Sequence, residues 1–215
     1  MQYPSVIRNL SEKLSRKLVL KHYSIRDGRQ ASAIQEKQVI ETVERYIHND
    51  IIIPESSRNW FDFAVYDTLS GSCIPVNIKI TERKSRSNIH SSKGMVYTFS
   101  TLHHTKIPNR MSFNTMVELI DDNKQMKRDM THEYYYLFVD KSTNDVLIKS
   151  LCDLQCLHPN GSNWLQASMQ KEMKYKDVYT PDIDESYTRV RRALSKSLVK
   201  RIQKSYKLLK PEIFL

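Results

Sequence analysis

The chain has few glycines and no long apolar run, and each shortage excludes a class of protein. No window approaches eighteen consecutive apolar residues, so the sequence predicts no membrane-spanning helix. The N-terminus, MQYPSVIRNL, lacks the basic-then-apolar order of a signal peptide, which favours a cytoplasmic protein. Only 4 of the 215 residues are glycine, and neither a glycine-rich clamp nor an RNP-like aromatic strand is present. The common RNA-binding domains are therefore disfavoured.

Cysteine is also scarce, and its spacing is not that of a metal site. Cys73, Cys152 and Cys156 are odd in number and lie in strand-like or apolar surroundings, so we expect reduced, buried thiols. Cys152, Cys156 and His158 lack a fourth zinc ligand, and their spacing fits no common zinc site.

Acidic residues are outnumbered by basic ones. The chain has 34 Lys and Arg against 24 Asp and Glu, a net charge of +10. This balance favours a polyanionic partner, with nucleic acid as the first expectation. A length of 215 residues suits one compact domain with a substantial core, so we expect a single domain over residues 1–215.

Apolar periodicity predicts an alternation of helices and strands. The predicted helices are 5–22, 30–48 and 185–209. The predicted strands are 60–66, 74–80, 133–140 and 146–151, with a hairpin turn at 141–145 and a loop at 158–162. This order predicts an α/β fold with a central mixed sheet flanked by helices.

Two predicted strands carry polar side chains among apolar ones. In 60–66, Asp62 faces away from its aromatic neighbours, and in 74–80, Asn77 and Lys79 face away from the isoleucines and valine around them. Such side chains lose hydration when they are buried. Contact with a metal, with a substrate or with each other compensates for this loss. Asp62, Asn77 and Lys79 therefore suggest a metal and phosphate site. A buried Asp62–Lys79 ion pair in an ordinary sheet is the alternative.

An acid on one strand followed by Asn77-Ile78-Lys79 on the next resembles the active-site pattern of the PD-(D/E)xK nucleases, and more closely the type II restriction endonucleases that cut duplex DNA bluntly. The resemblance implies a restriction-endonuclease-like core over about 30–150, Mg²⁺ as cofactor, a short palindromic duplex DNA site as substrate, and a prokaryotic or phage source. The family has Asp or Glu where this chain has Asn77. The protein is thus a natural variant or carries an engineered Asp-to-Asn change that disables cleavage.

The resemblance also implies roles for the three residues. Asp62 would be the principal Mg²⁺ ligand, and Asn77 a second, weaker one, because an amide oxygen coordinates Mg²⁺ without adding charge. Lys79 would face the attacking water and the phosphate, where it would stabilise developing charge or act as a base.

A glutamate on the preceding helix is the fourth candidate. In restriction enzymes a Glu at this place often reaches toward the metal, which makes Glu36 an auxiliary site residue. By helical period, Glu36 shares a stripe with four apolar residues, Ala33, Ile40, Val43 and Ile47. A glutamate at the rim of that stripe is the alternative, and Glu44 replaces Glu36 if the helix phase is different.

Two segments, about 83–115 and 158–176, are predicted DNA-recognition loops, and a basic helix follows at 185–209. The candidate DNA-binding residues are Arg83, Lys84, Arg86, Asn88, His90, Lys93, His104, Lys106, Asn109, Arg110, Asn163 and Gln166. Their cations would contact phosphates, and their amides suit adenine, which suggests an A·T-containing site.

Cutting both strands of a duplex requires two active sites, so we expect a homodimer, with either the first or the last helix at its interface. Two alternatives stay open. One is a structure-selective or repair nuclease of the same fold, such as a junction resolvase. The other is a non-catalytic DNA-binding module, which Asn77 favours.

Overall fold

The structure is a computed structural model that describes residues 3–21, 28–47, 50–55, 60–82, 86–88, 130–162, 164–174 and 183–209. The chain divides into two compact units, one formed by residues 1–83 and 91–151 and the other by residues 84–90 and 152–215. One nuclease domain over 1–215 stays a prediction beside this division.

The helices and strands follow the predicted order. The helices are α1 (Ser5–Lys17), α2 (Gly28–Tyr46), α3 (Met169–Lys174) and α4 (Ile183–Leu209). The strands are β1 (Ile51–Ile52), β2 (Phe63–Asp67), β3 (Ser72–Thr81), β4 (Arg86–Asn88), β5 (Tyr135–Asp140), β6 (Val146–Ser150), β7 (Leu157–Asn160) and β8 (Trp164–Ser168). None of these described helices is long and apolar enough to cross a bilayer.

The first unit is built on a five-stranded sheet in the order β1-β2-β3-β5-β6. β3 pairs with β5 in parallel, and the other neighbours are antiparallel. Alternate residues of the sheet form one core with α1 and α2, because side chains of a strand alternate between its faces. The predicted α/β fold, a central mixed sheet flanked by helices, is confirmed. A restriction-endonuclease-like core stays a prediction.

Helix α1 is shorter than predicted. It ends at Lys17, and Leu18 already has an extended backbone. The chain continues with Leu18 and Leu20 buried and Val19 exposed, which is the alternation of an extended segment. The side chain of Asn144 accepts the N–H of Leu20 (3.0 Å), so a tertiary hydrogen bond replaces the next helical one.

Helix α2 faces the sheet in a different phase from the predicted one. Its buried residues recur every fourth position, at Gln35, Val39, Val43 and Ile47, whereas Ala33 is exposed. A row of i, i+4 residues stays on one side of a helix and packs on a neighbouring layer. Glu36 therefore lies beside the buried row instead of on it, and its side chain is half-buried.

The second unit contains a three-stranded antiparallel sheet in the order β4-β8-β7. The predicted loop 158–162 is wrong, since His158 to Asn160 lie in β7 and only Gly161 and Ser162 form the turn into β8. The composition of Pro159-Asn160-Gly161 is typical of a turn. However, β7 is an edge strand, where a proline can be accommodated. The segment 158–176 is thus a hairpin followed by α3 over its described part, and not a loop.

The three cysteines are reduced thiols outside any disulfide, as predicted. Cys152 is buried and Cys156 half-buried, but Cys73 is exposed, which corrects the expectation that all three are buried. Cys73 occupies an odd position of β3, and the even positions are those that face the core.

The turn between β5 and β6 depends on one asparagine. Asn144 has a left-handed backbone (φ 59°), and its side chain accepts the N–H of Leu20. We expect Asn144→Ala to lower the free energy of unfolding by about 1–3 kcal/mol, because alanine loses the hydrogen bond and is strained in this conformation. Asn144→Gly should cost less, since it loses the bond alone. Urea denaturation distinguishes the two, and equal losses would contradict a conformational role.

Candidate active site

Asp62 lies directly before β2 and is bound to β3. Its backbone N–H donates to the carbonyl of Val76 (3.0 Å), and its carboxylate Oδ2 accepts the N–H of Ile78 (2.5 Å). The Asp62 carboxylate accepts the Ile78 N–H, which would otherwise bond a carbonyl of the neighbouring strand. The strand pairing therefore ends here, and β2 begins at Phe63, later than predicted. Extending the Phe63–Val76 register by one residue sets Asp62 opposite Asn77.

Asn77 and Lys79 lie on the face of β3 that is turned away from the helical core. Ile74, Val76 and Ile78 are buried in that core, and the two polar residues between and after them are half-buried on the other side. The three residues that the sequence pattern singled out therefore share one face at the junction of β2 and β3.

The side-chain oxygen of Asn77 has no hydrogen-bond partner among the described residues, although it is buried from solvent. An unsatisfied buried acceptor costs about 1–3 kcal/mol. A carbonyl oxygen beside a carboxylate is a donor set for a hard cation such as Mg²⁺. Within the described ranges, no three His, Cys, Asp or Glu residues form a group that could hold a metal ion. Asp62 and Asn77 stay the predicted metal ligands.

Burial sets the protonation of the charged residues here. It raises the pKa of Asp62, and the Ile78 N–H and the Lys79 cation oppose this shift. It lowers the pKa of the Lys79 ammonium, against the opposing influence of Asp62 and Glu36. Both groups are thus held closer to their neutral forms than in water.

Glu36 joins this group from α2. Burial raises the pKa of its carboxyl, the Asp62 charge raises it further, and Lys79 lowers it. A cation beside Asp62 counteracts this effect of the Asp62 charge on Glu36. Glu44, the alternative on the same helix, is exposed.

The described residues contain no direct ion pair between Lys79 and either carboxylate. A structural ion pair would hold the two charges in contact and recover their lost hydration. The charges instead interact at longer range, with hydration lost and only partly recovered. Charged groups with such perturbed pKa values cluster at functional sites.

An aromatic row covers the same face of the sheet. Trp60 stacks on Tyr134 (ring centroids 5.9 Å apart), Tyr134 meets Tyr136 edge-on (5.2 Å), and Tyr136 stacks on Phe138 (6.1 Å). The Tyr134 hydroxyl donates to the Trp60 carbonyl. Each ring pair adds about 0.5–1.5 kcal/mol to the stability of the fold beyond the contribution of its buried area. The aromatic row therefore stabilises the part of the sheet that carries the site.

Tyr136 is the candidate site residue that sequence reasoning missed. It pairs with Asn77 in the register of β3 and β5, and it is fully buried. Burial raises its pKa well above the ordinary value, and Tyr134 and Asp62 add to this shift, so it remains a neutral phenol. The run 134–136 indicated only a strand, and β5 begins at Tyr135. The missing signal was the identity of the neighbouring strand.

The DNA-binding candidates are only partly within the described residues. Outside them lie Arg83, Lys84, His90, Lys93, His104, Lys106, Asn109, Arg110 and Asn163. Arg86 and Asn88 lie in β4 instead of in a loop, and Gln166 lies in β8 with a half-buried side chain. The second-unit sheet brings Asn88 and Gln166 together as cross-strand partners.

A comparison of the chain with protein-family models found no match, and a comparison with curated proteins found none either.

The raised carboxyl pKa values predict a pH-dependent cost to stability. A carboxyl with a raised folded-state pKa stabilises the fold at low pH, and this contribution is lost as the pH rises through that pKa. Without divalent ions we expect Asp62→Asn, which keeps an oxygen for the Ile78 N–H, to raise the free energy of unfolding by about 0.5–2 kcal/mol at neutral pH. The gain should vanish toward pH 3.

Urea denaturation between pH 3 and 8 measures this difference. Glu36→Gln should behave in the same way, and Glu44→Gln on the exposed side of α2 is the matched control. A gain that grows as the pH falls would contradict the direction of the shifts.

Proposed function

We propose that this protein is a Mg²⁺-dependent, site-specific deoxyribonuclease of the type II restriction endonuclease kind, hydrolysing phosphodiester bonds of duplex DNA at a short palindrome. The observation that carries the proposal is the buried, unpartnered Asn77 oxygen on the face shared with Asp62 and Lys79. The unsatisfied acceptor, the raised pKa of Asp62 and the lowered pKa of Lys79 all cost folding stability. A functional role therefore explains this face better than a structural one.

The residues fit a divalent cation. Asp62 and Asn77 would hold it, and Glu36 is near enough to interact electrostatically with Asp62. When bound, Mg²⁺ supplies Lewis-acid stabilisation of the phosphate oxygens. With one full carboxylate ligand where the resembled enzymes have two, we expect weak binding.

Lys79 is suited to two tasks. As an ammonium, its Nζ would neutralise charge that develops on a non-bridging phosphate oxygen as water attacks phosphorus. Because its pKa is lowered, a larger fraction is neutral, and a neutral Nζ can accept the proton of the attacking water. Both tasks require the amine to stay out of a permanent ion pair.

Glu36 would work through its electrostatics. The Asp62 charge disfavours ionisation of the Glu36 carboxyl, so a cation bound by Asp62 would favour the ionised Glu36. The ionised carboxylate would orient water by accepting its hydrogen bond. Tyr136, which is buried next to Asn77, would exclude water from the site.

Cutting both strands calls for a homodimer. The apolar residues Ile7, Leu10 and Leu14 of α1 are buried in their own unit, whereas α4 exposes Val199, Ile202 and Tyr206 in its second half. This difference favours α4 as the dimer contact. An enzyme of this kind would act in the cytoplasm of a prokaryotic or phage-infected cell.

A non-catalytic DNA-binding module is the second candidate, and Asn77 is the specific observation in its favour. Without a second carboxylate, the site would recognise DNA through charge alone. Digestion of duplex DNA with Mg²⁺ distinguishes the nuclease from the binding module.

Digestion of a long, sequenced duplex with Mg²⁺ tests the proposal. We expect discrete fragments, formed slowly by the chain itself and at least about 10- to 100-fold faster by Asn77→Asp, because even an outer-shell partner of a metal ligand is worth roughly 10- to 100-fold and residue 77 would be a direct ligand. Lys79→Ala should abolish cutting in both backgrounds.

Asn9→Asp is the matched control, since it makes the same change in charge on the exposed side of α1. Intact DNA with every variant, despite tight binding, would refute hydrolysis and leave the binding module.

Metal binding has a readout that does not depend on activity. A ligand that binds only the folded chain raises its melting temperature in proportion to the logarithm of its concentration. At 10 mM, a roughly saturating concentration for a millimolar site, we expect Mg²⁺ to stabilise Asn77→Asp more than the unaltered chain. We expect no stabilisation of Asp62→Asn. An equal shift for all three would show that the ion binds elsewhere.

A further inference from the structure

The three-stranded sheet of the second unit has two chemically different faces. One face holds Leu165 and Ala167, which are fully buried, and α3 and α4 pack against this sheet. The intervening positions of the same strands are polar with one exception, and those with described side chains, namely Gln166, Ser168, His158 and Asn160, are half-buried. When a sheet has one buried and one hydrophilic face, the hydrophilic face suits a polar partner.

The register aligns hydrogen-bonding residues in a row across this second face. Gln166 of the central strand β8 is directly opposite His158 of β7 on one side and Asn88 of β4 on the other. Directly paired residues of antiparallel strands share a face, with about 5 Å between neighbours. His158, Gln166 and Asn88 thus form one row of paired residues across the three strands. The sequence separates them by as much as 78 positions, so only the fold assembles the row.

The width of the sheet matches a groove of DNA. Strands lie about 4.8 Å apart, so three span about 10 Å, close to the roughly 12 Å width of the major groove of B-DNA. β-sheets and β-ribbons are established readers of that groove. Side chains of Asn and Gln bond both the N6 and N7 of adenine, and His donates to acceptors of guanine or thymine.

Charge supports the same partner. The second unit contains 14 Lys and Arg against 7 Asp and Glu, which makes +7 of the chain's net +10 in a third of its length. Lys200 and Lys204 of α4 border the β7–β8 hairpin, where their Nζ atoms bond the Pro159 carbonyl (3.3 Å) and the Ser162 hydroxyl (3.1 Å). Cations at the rim of a polar face suit phosphates on either side of a groove.

We propose that the hydrophilic face of the β4-β8-β7 sheet is the base-reading surface of this protein, with Gln166 bonding an adenine edge in the major groove of duplex DNA. This proposal rests on the proposed function for its partner and adds the surface that selects the site. It replaces the predicted recognition loop 158–176 by a sheet, which holds its side chains more rigidly than a loop does.

The test is selection of a randomised duplex pool by the purified full chain in EDTA, so that binding is read without cleavage. We expect the chain to enrich an A·T-containing palindrome. Gln166→Ala should lose the preference at one position of each half-site and bind the enriched duplex about 5- to 150-fold more weakly, with unchanged affinity for random duplex. Gln166→Glu should move the preference from adenine to cytosine, because a carboxylate accepts from cytosine N4.

The Glu variant guards against misfolding, since an unfolded chain does not acquire a new preference. Gln203→Ala, an exposed glutamine on α4, is the matched control and should select the same motif as the unaltered chain. A motif that is identical for the unaltered chain, Gln166→Ala and Gln166→Glu would overturn the proposal. So would the absence of any enriched motif.

Digestion of the same pool with Mg²⁺ separates this proposal from the catalytic one. A motif that changes with Gln166, without cutting by Asn77→Asp, would uphold the surface and refute the nuclease. Site-specific cutting by Asn77→Asp that is indifferent to Gln166 would do the reverse.

Discussion

Strand β3 is hydrogen-bonded on both edges, and the candidate site depends on this constraint. It pairs with β2 in one direction and with β5 in the other, and its even-numbered residues fill the core under α1 and α2. A slip of one residue would send Ile74, Val76 and Ile78 to the opposite face and break the pairing on both edges. Asn77 and Lys79 are therefore held on their face by apolar neighbours that take no part in the chemistry.

The site is organised at a cost to stability. The Asn77 oxygen is buried without a partner, and burial disfavours the charged forms of Asp62 and Lys79. The core on the other side of the same strands offsets this cost, as does the aromatic row beside the site. The destabilising polar groups are thus confined to one face of the sheet, and apolar and aromatic packing around them keeps the fold stable.

The second unit uses the same division of faces for a different purpose. In both sheets, alternation of side chains places polar residues on the face opposite the core. Those of the second sheet come from distant parts of the chain. Sequence reasoning found Gln166 and Asn88 as amides that suit adenine, but it assigned them to loops. The error at residues 158–162 arose because Pro159-Asn160-Gly161 has turn composition while an edge strand tolerates its proline.

Local pattern by itself determined β2, β3, β5 and β6, the hairpin turn at 141–145, the basic C-terminal helix and the candidacy of Asp62, Asn77 and Lys79, because alternation and period are properties of neighbouring residues. Tertiary structure alone decided the end of α1, the phase of α2 that leaves Glu36 beside the buried row, and the placement of Tyr136 opposite Asn77. These depend on which elements pack together. Strand partners, register and burial arise from contacts between residues far apart in the chain, and local periodicity carries no information about them.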